Sequence, residues 1–265
     1  MNMQNISENR HLFTEERWQG ELELLKQRKR ATFSELTKLF RVSESTIRRD
    51  LRELEKRNMI KRTHGGAILP KIVRLELSID ERKTKFHLEK EHIGKFAAEY
   101  INSGETVLID AGTTTLEVAR NIKEKENLWI ITNAVDISTL LISIDQIRVV
   151  LTGGELCRRD LSMVGPAAEE TISKFHVDKV ILGADAISVK CGLTCASLQE
   201  AQVKKAMIKA GREIIIVADH SKIGKVAFTS VAPITQIHTL ITDSKAPSKF
   251  IRDLERQGIQ VFTVD

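Results

Sequence analysis

Six consecutive residues, Asp110-Ala111-Gly112-Thr113-Thr114-Thr115, place a carboxylate, a glycine and three hydroxyls directly ahead of an apolar helical pattern. That order suits the capture of an anion. Gly112 lets the backbone turn sharply. The hydroxyls, the free N–H groups and the positive end of the helix that follows make a cradle for phosphate. Asn133, Gly154, Asp185 and Lys222 each stand just beyond a short apolar run. In open α/β sheets ligands bind beyond the carboxyl ends of the strands, so these positions converge on one sheet edge. The composition fits a small, phosphorylated, hydroxyl-rich ligand. Singly, each element has a plainer reading: a Gly-Thr-Thr-Thr turn starts a helix, Lys222 is a solvated surface residue, and Asp185 and Asp219 cap turns. Their shared register at strand ends is what argues for a site.

An isomerase acting on such a ligand needs an acid and a base near the sugar carbons. Glu200, Asp185 and Lys204 are the candidates. Glu200 and Lys204 lie at i and i+4 of one helical pattern, and an ordinary helix ion pair is the reading adopted for them. No catalytic residue is therefore expected, and no cofactor or metal ligand either. The three cysteines, Cys157, Cys191 and Cys195, show no CxxC spacing, which disfavours a disulfide framework or a structural zinc site.

A second chemistry lies in Ser43–Gly66, SESTIRRDLRELEKRNMIKRTHGG. Ile47, Leu51 and Leu54 form one apolar stripe at helical spacing. Ser45, Arg49, Arg52 and Lys56 fall on the opposite side, with Arg48 at its flank. Ser43 can cap the helix, accepting from an orphan N–H, and Thr46 lies in the first turn. An oily back and a cationic front suit a helix that docks on a scaffold and meets phosphates and base edges in the major groove of double-stranded DNA. Ser34 to Phe40 predicts a short helix upstream, with Leu36, Leu39 and Phe40 inward. Arg41-Val42-Ser43 has the length of the turn in a helix-turn-helix. Met59 to Leu69 alternates basic and apolar residues, Arg62 and His64 among them, and predicts a β-hairpin wing.

The charge is partitioned accordingly. Residues 1–69 hold 15 Lys and Arg against 10 Asp and Glu, while the remaining 26 and 26 cancel. The whole net charge of +5 thus sits in the first quarter of the chain, where a polyanion is the expected partner. No apolar run approaches the roughly 20 residues of a membrane span. The N-terminus lacks the basic-then-apolar order of a signal peptide, so a cytoplasmic location without membrane association is expected.

Thr14 to about Lys29 is a support helix, with Trp18, Leu22 and Leu25 inward. Residues 14–69 form a winged helix-turn-helix, 70–86 a linker, and 87–265 an α/β domain. In the last of these, a helix at His87–Asn102 precedes apolar strands at Thr106–Asp110, Leu128–Thr132, Arg148–Thr152, Lys179–Gly183, Glu213–Ala218, Thr239–Thr242 and Gln260–Thr263. Helical patterns separate most of them, which predicts a mostly parallel, Rossmann-like sheet covered on both faces.

The stretch Val42–Ala67, VSESTIRRDLRELEKRNMIKRTHGGA, resembles the signature of the DeoR family of bacterial transcriptional regulators. Asn58 replaces the Gly that usually ends its helix, and Asn too tolerates the left-handed conformation. The second half is similar to the same family through LIDAGTTTLEVA, ITNA, LTGGEL, LGADAI, GLT and DHSKIG. The resemblance spans residues 14 to 265 and implies a winged helix-turn-helix joined to an effector domain related to ribose-5-phosphate isomerases and CoA transferases. It implies a repressor of a carbohydrate-utilisation operon, controlled by a phosphorylated sugar, with an isomerase-like enzyme fused to a DNA-binding domain as the alternative. By that analogy Gly112, Thr113, Thr114 and Thr115 hold the phosphate, Lys222 pairs with it, and Asp110, Asn133, Gly154 and Asp185 line the sugar pocket. The chain departs from the family where it has His220 in place of Ser and Ala186 in place of Gly. One winged helix per chain usually reads paired half-sites, so a homodimer or homotetramer is expected.

Overall fold

The computed structural model describes residues 14–28, 30–56, 60–68 and 79–265. The chain divides into two compact units, Met1–Ile72 and Val73–Asp265. In the first, α1 (Thr14–Arg28), β1 (Arg30–Thr32), α2 (Phe33–Phe40), α3 (Glu44–Lys56), β2 (Lys61–Thr63) and β3 (Gly66–Ile68) follow one another. Leu22, Leu24 and Leu25 of α1, Phe33, Leu36 and Phe40 of α2, and the α3 stripe Ile47, Leu51 and Leu54 close one core. Leu39, expected inward, is instead 37% exposed. A capping box starts α2: Glu35 N donates to Thr32 Oγ1 at 3.2 Å and Thr32 N donates to Glu35 Oε2 at 2.7 Å. Arg41 ends that helix in the left-handed region, at φ 51°.

The wing has three strands, ordered β1-β3-β2, because β1, too short for any periodic signal, joins the predicted hairpin. Gly66 is required by this packing, since a Cβ there would meet Ala31 O at 2.1 Å. The hairpin's expected start at Met59 and its end at Leu69, together with Asn58 and residues 70–78 of the segment read as a linker, lie outside the described residues.

The second unit opens with α4 (Ile79–Thr84), a short helix inside the segment read as a linker, and α5 (His87–Glu99). Then come β4 (Thr106–Ile109), α6 (Thr113–Asn121), β5 (Leu128–Thr132), α7 (Val135–Leu141) and β6 (Ile147–Leu151). The hairpin β7 (Glu155–Cys157) and β8 (Ser162–Val164) precedes α8 (Pro166–Ser173) and β9 (Val177–Gly183). After β10 (Ala186–Ser188) and β11 (Gly192–Cys195) come α9 (Leu198–Ala210), β12 (Gly211–Val217), β13 (Thr229–Ala232), β14 (Thr239–Asp243), α10 (Ser248–Glu255) and β15 (Gln260–Val264).

Seven strands form one sheet, ordered β15-β14-β12-β9-β4-β5-β6, and every pairing in it is parallel. Strand residues alternate between two cores. Leu108 packs with α8, α9 and α10 residues such as Ile172, Met207 and Leu254. Val107 and Ile109 pack with α5, α6 and α7 residues such as Ile93, Val118 and Ile137. Burial on both faces is why inner strands such as β4 and the end of β12 read as continuous apolar runs rather than alternating ones. From β4 the chain proceeds through β5 and β6 to one side, then returns to lay β9, β12, β14 and β15 on the other. The carboxyl ends of β4 and β9 therefore flank a topological switch point, where a crevice opens in doubly wound sheets. A small antiparallel sheet, β10-β11-β13, stands apart from the main one; none of its strands is long enough to be read from alternation. Among the described residues no helix is long and apolar enough to cross a membrane.

Candidate effector cavity and DNA-facing surface

A cavity of about 320 Å³ opens at the switch point, lined from the β4 end by Ala111, Gly112, Thr113 and Thr114 and from the β9 end by Gly183, Ala184 and Asp185. At the start of α6 the N-cap is Gly112, and no side chain caps the helix. The orphan N–H groups of its first turn are thus left to solvent or to a ligand. Thr113 and Thr114 face the cavity, whereas Thr115 is fully buried and spends its hydroxyl on Gly112 O at 2.9 Å.

Lys222 lines the same cavity. It ends a single 3-10 turn, His220–Lys222, whose N-cap Asp219 accepts from Ser221 N at 2.9 Å. Burial pushes the Lys222 pKa below the ordinary lysine value, against the pull of Asp219 and Asp185. No side chain among the described residues is bonded to its ammonium, which is therefore available to an incoming anion.

Asp110, Asn133 and Gly154 lie behind the wall, where they build the cavity rather than line it. Asp110 joins the β4 and β9 ends: its carboxylate accepts from Gly183 N at 3.1 Å and pairs with Lys204, which also donates to Gly183 O at 3.1 Å. Burial opposes the charge on Lys204, but the Asp110 carboxylate outweighs it and holds the lysine pKa up. Burial also raises the Asp110 pKa; the close contact, together with the Gly183 bonds, favours the ion pair. Asn133 accepts from Ala111 N at 2.9 Å and donates to Met163 O at 3.3 Å. Gly154, at φ 114°, allows the β7–β8 hairpin to close, since a Cβ there would meet Val164 O at 2.5 Å. Asp185 does line the cavity; it accepts from Ala196 N at 3.0 Å and from Arg159 Nη2 at 3.3 Å.

Several lining groups escaped the sequence reading. Arg159, on the turn of the β7–β8 hairpin, donates through Nε to Glu200 Oε1 at 3.0 Å and pairs as well with Asp160 and Asp185. The three carboxylates outweigh its burial and raise its pKa. Glu200, pushed up to about 7 by burial and by Asp160, is held by that guanidinium. The expected Glu200–Lys204 ion pair is thus replaced by two others, Glu200–Arg159 and Lys204–Asp110. Cys157, Asp160 and Glu200 bring donor atoms within 4.8 Å of one another, with the Arg159 guanidinium already serving as their counter-cation. From the α4–α5 junction come Arg82, Lys85, Phe86 and Lys90. The only sequence signal for them was that Arg82 and Lys90 fall within the family resemblance.

On α3, Ser45, Arg49 and Arg52 are exposed, and neither arginine is ion-paired among the described residues. Arg48 is exposed too, but it is held by Glu44 at 2.6 Å and lies 4.0 Å from the centre of the Phe33 ring. Ser43 caps the helix, accepting from Thr46 N at 3.2 Å, and its hydroxyl also meets those of Ser45 and Thr46. Arg62 is half-buried: its backbone N–H donates to Glu55 Oε1 at 2.8 Å, so it ties the wing to α3. His64 is exposed at the wing tip. The Lys56 side chain lies outside the described residues.

Residues 17–73 match the DeoR-like helix-turn-helix domain and residues 85–244 the DeoR C terminal sensor domain. The chain is 35% identical over 254 residues to the HTH-type transcriptional repressor GlcR of Bacillus subtilis, covering 96% of this chain and 98% of that one. It is 37% identical over 246 residues to the Glycerol-3-phosphate regulon repressor of Escherichia coli, covering 93% and 97%. A ribose 5-phosphate isomerase A from Methanocaldococcus jannaschii aligns with 53% of this chain and 56% of its own at 17% identity and a TM-score of 0.40. The full-length relatives are named as repressors, not enzymes. With both family domains matched in order, this chain belongs to the DeoR family of helix-turn-helix transcriptional regulators.

Proposed function

We propose that this chain is a cytoplasmic repressor of a carbohydrate-utilisation operon and that a phosphorylated sugar in the switch-point cavity sets its affinity for operator DNA. The observation that carries the reading is the uncapped α6 N-terminus opposite Lys222, whose ammonium has no side-chain partner among the described residues, in a cavity of about 320 Å³. Helix N–H donors, a positive helix end and a desolvated ammonium together favour a phosphate dianion. Asp185 and the Arg159–Glu200 pair supply acceptors and donors for sugar hydroxyls. The names of relatives support a sugar or polyol phosphate: one is the glycerol-3-phosphate regulon repressor, and another, 30% identical, is the putative aga operon repressor of Escherichia coli O157:H7.

On the DNA side, Arg49 and Arg52 with Ser45 form the base-reading front, Arg48 and His64 reach phosphates, Ser43 and Arg62 position the helix and wing, and Lys56 extends the front. A homodimer or homotetramer would present two such helices to paired half-sites. The direct test is a thermal-shift screen of sugar phosphates against their unphosphorylated parents. At least one phosphate ester is expected to stabilise the protein and alter its grip on operator DNA, the parent sugar neither. Equal stabilisation by sugar and sugar phosphate would refute the cavity assignment.

A further inference from the structure

The strand ends account for one side of the cavity. The other side is built by a segment with no counterpart at the sheet edge. Arg82, Lys85, Phe86 and Lys90 line it from the junction of α4 and α5. In the sequence, β3 of the DNA-binding unit ends at Ile68 and α4 begins at Ile79. This wall is therefore the first described structure reached by the chain as it leaves the DNA-binding unit.

Side chains hold the junction in place. Lys90 directs its ammonium to the carbonyls of Arg82 and Lys85. Phe86 adopts the left-handed region, at φ 54°, to start α5, and its ring meets His220 edge-on at 4.8 Å. Arg82 is 9% exposed, yet its guanidinium has one fixed bond: Nη2 donates to Arg159 O at 2.6 Å. Its Nε is buried without a hydrogen-bond partner among the described residues, a costly state for a charged donor. Arg82 forms no ion pair with a carboxylate among the described residues. Lys90, Lys222 and Arg82 also repel one another: each of the other two lowers the Lys90 pKa, already brought down to about 8 chiefly by burial, and Arg82 helps lower that of Lys222. Arg82, Lys90 and Lys222 thus gather at one cavity, where Asp219 and Asp185 offset their charge only in part.

We propose that Arg82 is an effector-binding residue, and that by pairing with the anionic group of the ligand it carries occupancy of the cavity into α4 and the chain leading to the DNA-binding unit. The inference rests on the sugar-phosphate reading above and adds to it the route by which the signal leaves the site. A dianion set between Arg82, Lys90 and Lys222 relieves their repulsion and gives the orphaned guanidinium a partner. It also fixes α4 relative to the sheet, because Arg82 is anchored to Arg159, and Arg159 to Glu200. A ligand shifts a conformational equilibrium only through contacts that differ between two states. Among the lining cations, Arg82 is the one carried on α4.

The test uses the full-length chain and an operator fragment selected with it. In wild type, hydrogen exchange over residues 79–90 should slow on adding the sugar phosphate that gives the largest thermal shift, and slow less with inorganic phosphate. Arg82→Gln should bind operator within twofold of wild type without ligand. It should bind the sugar phosphate about tenfold more weakly, and at saturation should show less than a third of the wild-type change in operator affinity. Arg82→Lys should recover much of the ligand affinity and little of the response, a split that a merely structural role would not give. Unchanged exchange over 79–90, or an Arg82→Gln protein that responds fully once saturated, overturns the inference while leaving the cavity assignment intact. If no phosphate ester binds wild type at all, the cavity assignment falls, and this inference with it.

Discussion

Replacing Lys222 with methionine isolates the charge at the centre of the proposed phosphate site. The methionine keeps most of the apolar stem and removes the ammonium. That ammonium is bonded to no side chain among the described residues, and burial lowers its pKa. Its removal should therefore leave the ligand-free melting temperature unchanged or slightly raised. With ligand bound, the lost contact is a hydrogen bond between an ammonium and a phosphate, worth about 1.5–3 kcal/mol. That corresponds to about a 10- to 150-fold rise in Kd. The α6 N-terminus, worth roughly 0.3–1 kcal/mol and somewhat more when partly buried, stays in place, so binding should weaken rather than vanish. Calorimetric titration of wild type and Lys222→Met with the same sugar phosphate measures the difference directly. Operator affinity without ligand should be the same for both, and the variant should need correspondingly more effector to respond. A change in Kd below threefold, with both proteins folded, would refute the placement of the phosphate beside Lys222. An equal loss for the unphosphorylated sugar would show that Lys222 reads hydroxyls instead.

Other consequences follow from the same geometry. Arg49→Ala should cost about 1–3 kcal/mol of operator binding if its guanidinium reads a base, and wild-type affinity should fall steeply with salt as counterions are displaced; band-shift titrations at several salt concentrations test both, and a flat salt response would refute phosphate contacts. Lys90 has its pKa lowered to about 8, chiefly by burial, and a bound anion favours the charged form. Effector affinity should accordingly hold below that pH and decline as pH rises through it, whereas calorimetry showing constant affinity from pH 7 to 9 would exclude Lys90 from the anion's surroundings. Glu21 is fully buried in the DNA-binding unit, neither carboxylate oxygen has a hydrogen-bond partner among the described residues, and burial raises its pKa to about 8. Between the ordinary glutamate value and about 8 the unfolded chain releases a proton that the folded one keeps, so stability should fall as pH rises across that window. Glu21→Gln should flatten the decline and raise the melting temperature of this unit at pH 8, and parallel melting curves for the two proteins would refute the assignment.

The parts of the fold that were legible in the sequence are those where one physical rule acts alone. The inner strands of the parallel sheet are buried on both faces, so stretches such as Val107–Ile109 and Ile214–Val217 appear as apolar runs, and the end of each of the seven strands can be located within two residues. The α3 helix exposes one face, so its stripe and its arginines separate cleanly at helical spacing. Leu39 broke the pattern because α2 is short and buries only Phe33, Leu36 and Phe40. At the site, the sequence located the polar groups at strand ends but could not tell lining from support. Asp110 and Asn133 sit where backbone N–H groups emerge from buried strands, and satisfying Gly183 N and Ala111 N takes precedence over a ligand. Arg82, Lys90 and Arg159 were hidden for a different reason. They come from a helix junction and a hairpin turn, and only the tertiary path of the chain brings those to the switch point.

The strand order also bears on how the molecule is made. The first strand of the sheet to be synthesised, β4, finishes in the interior between β5 and β9. One of its edges stays open until Val177–Gly183 has left the ribosome, and pairings so distant in sequence form slowly. The helix-turn-helix has its own core, complete within Met1–Ile72. During synthesis this unit can close long before the effector cavity exists. A nascent or prematurely ended chain would then carry a folded helix-turn-helix unit without the sensor domain that follows it.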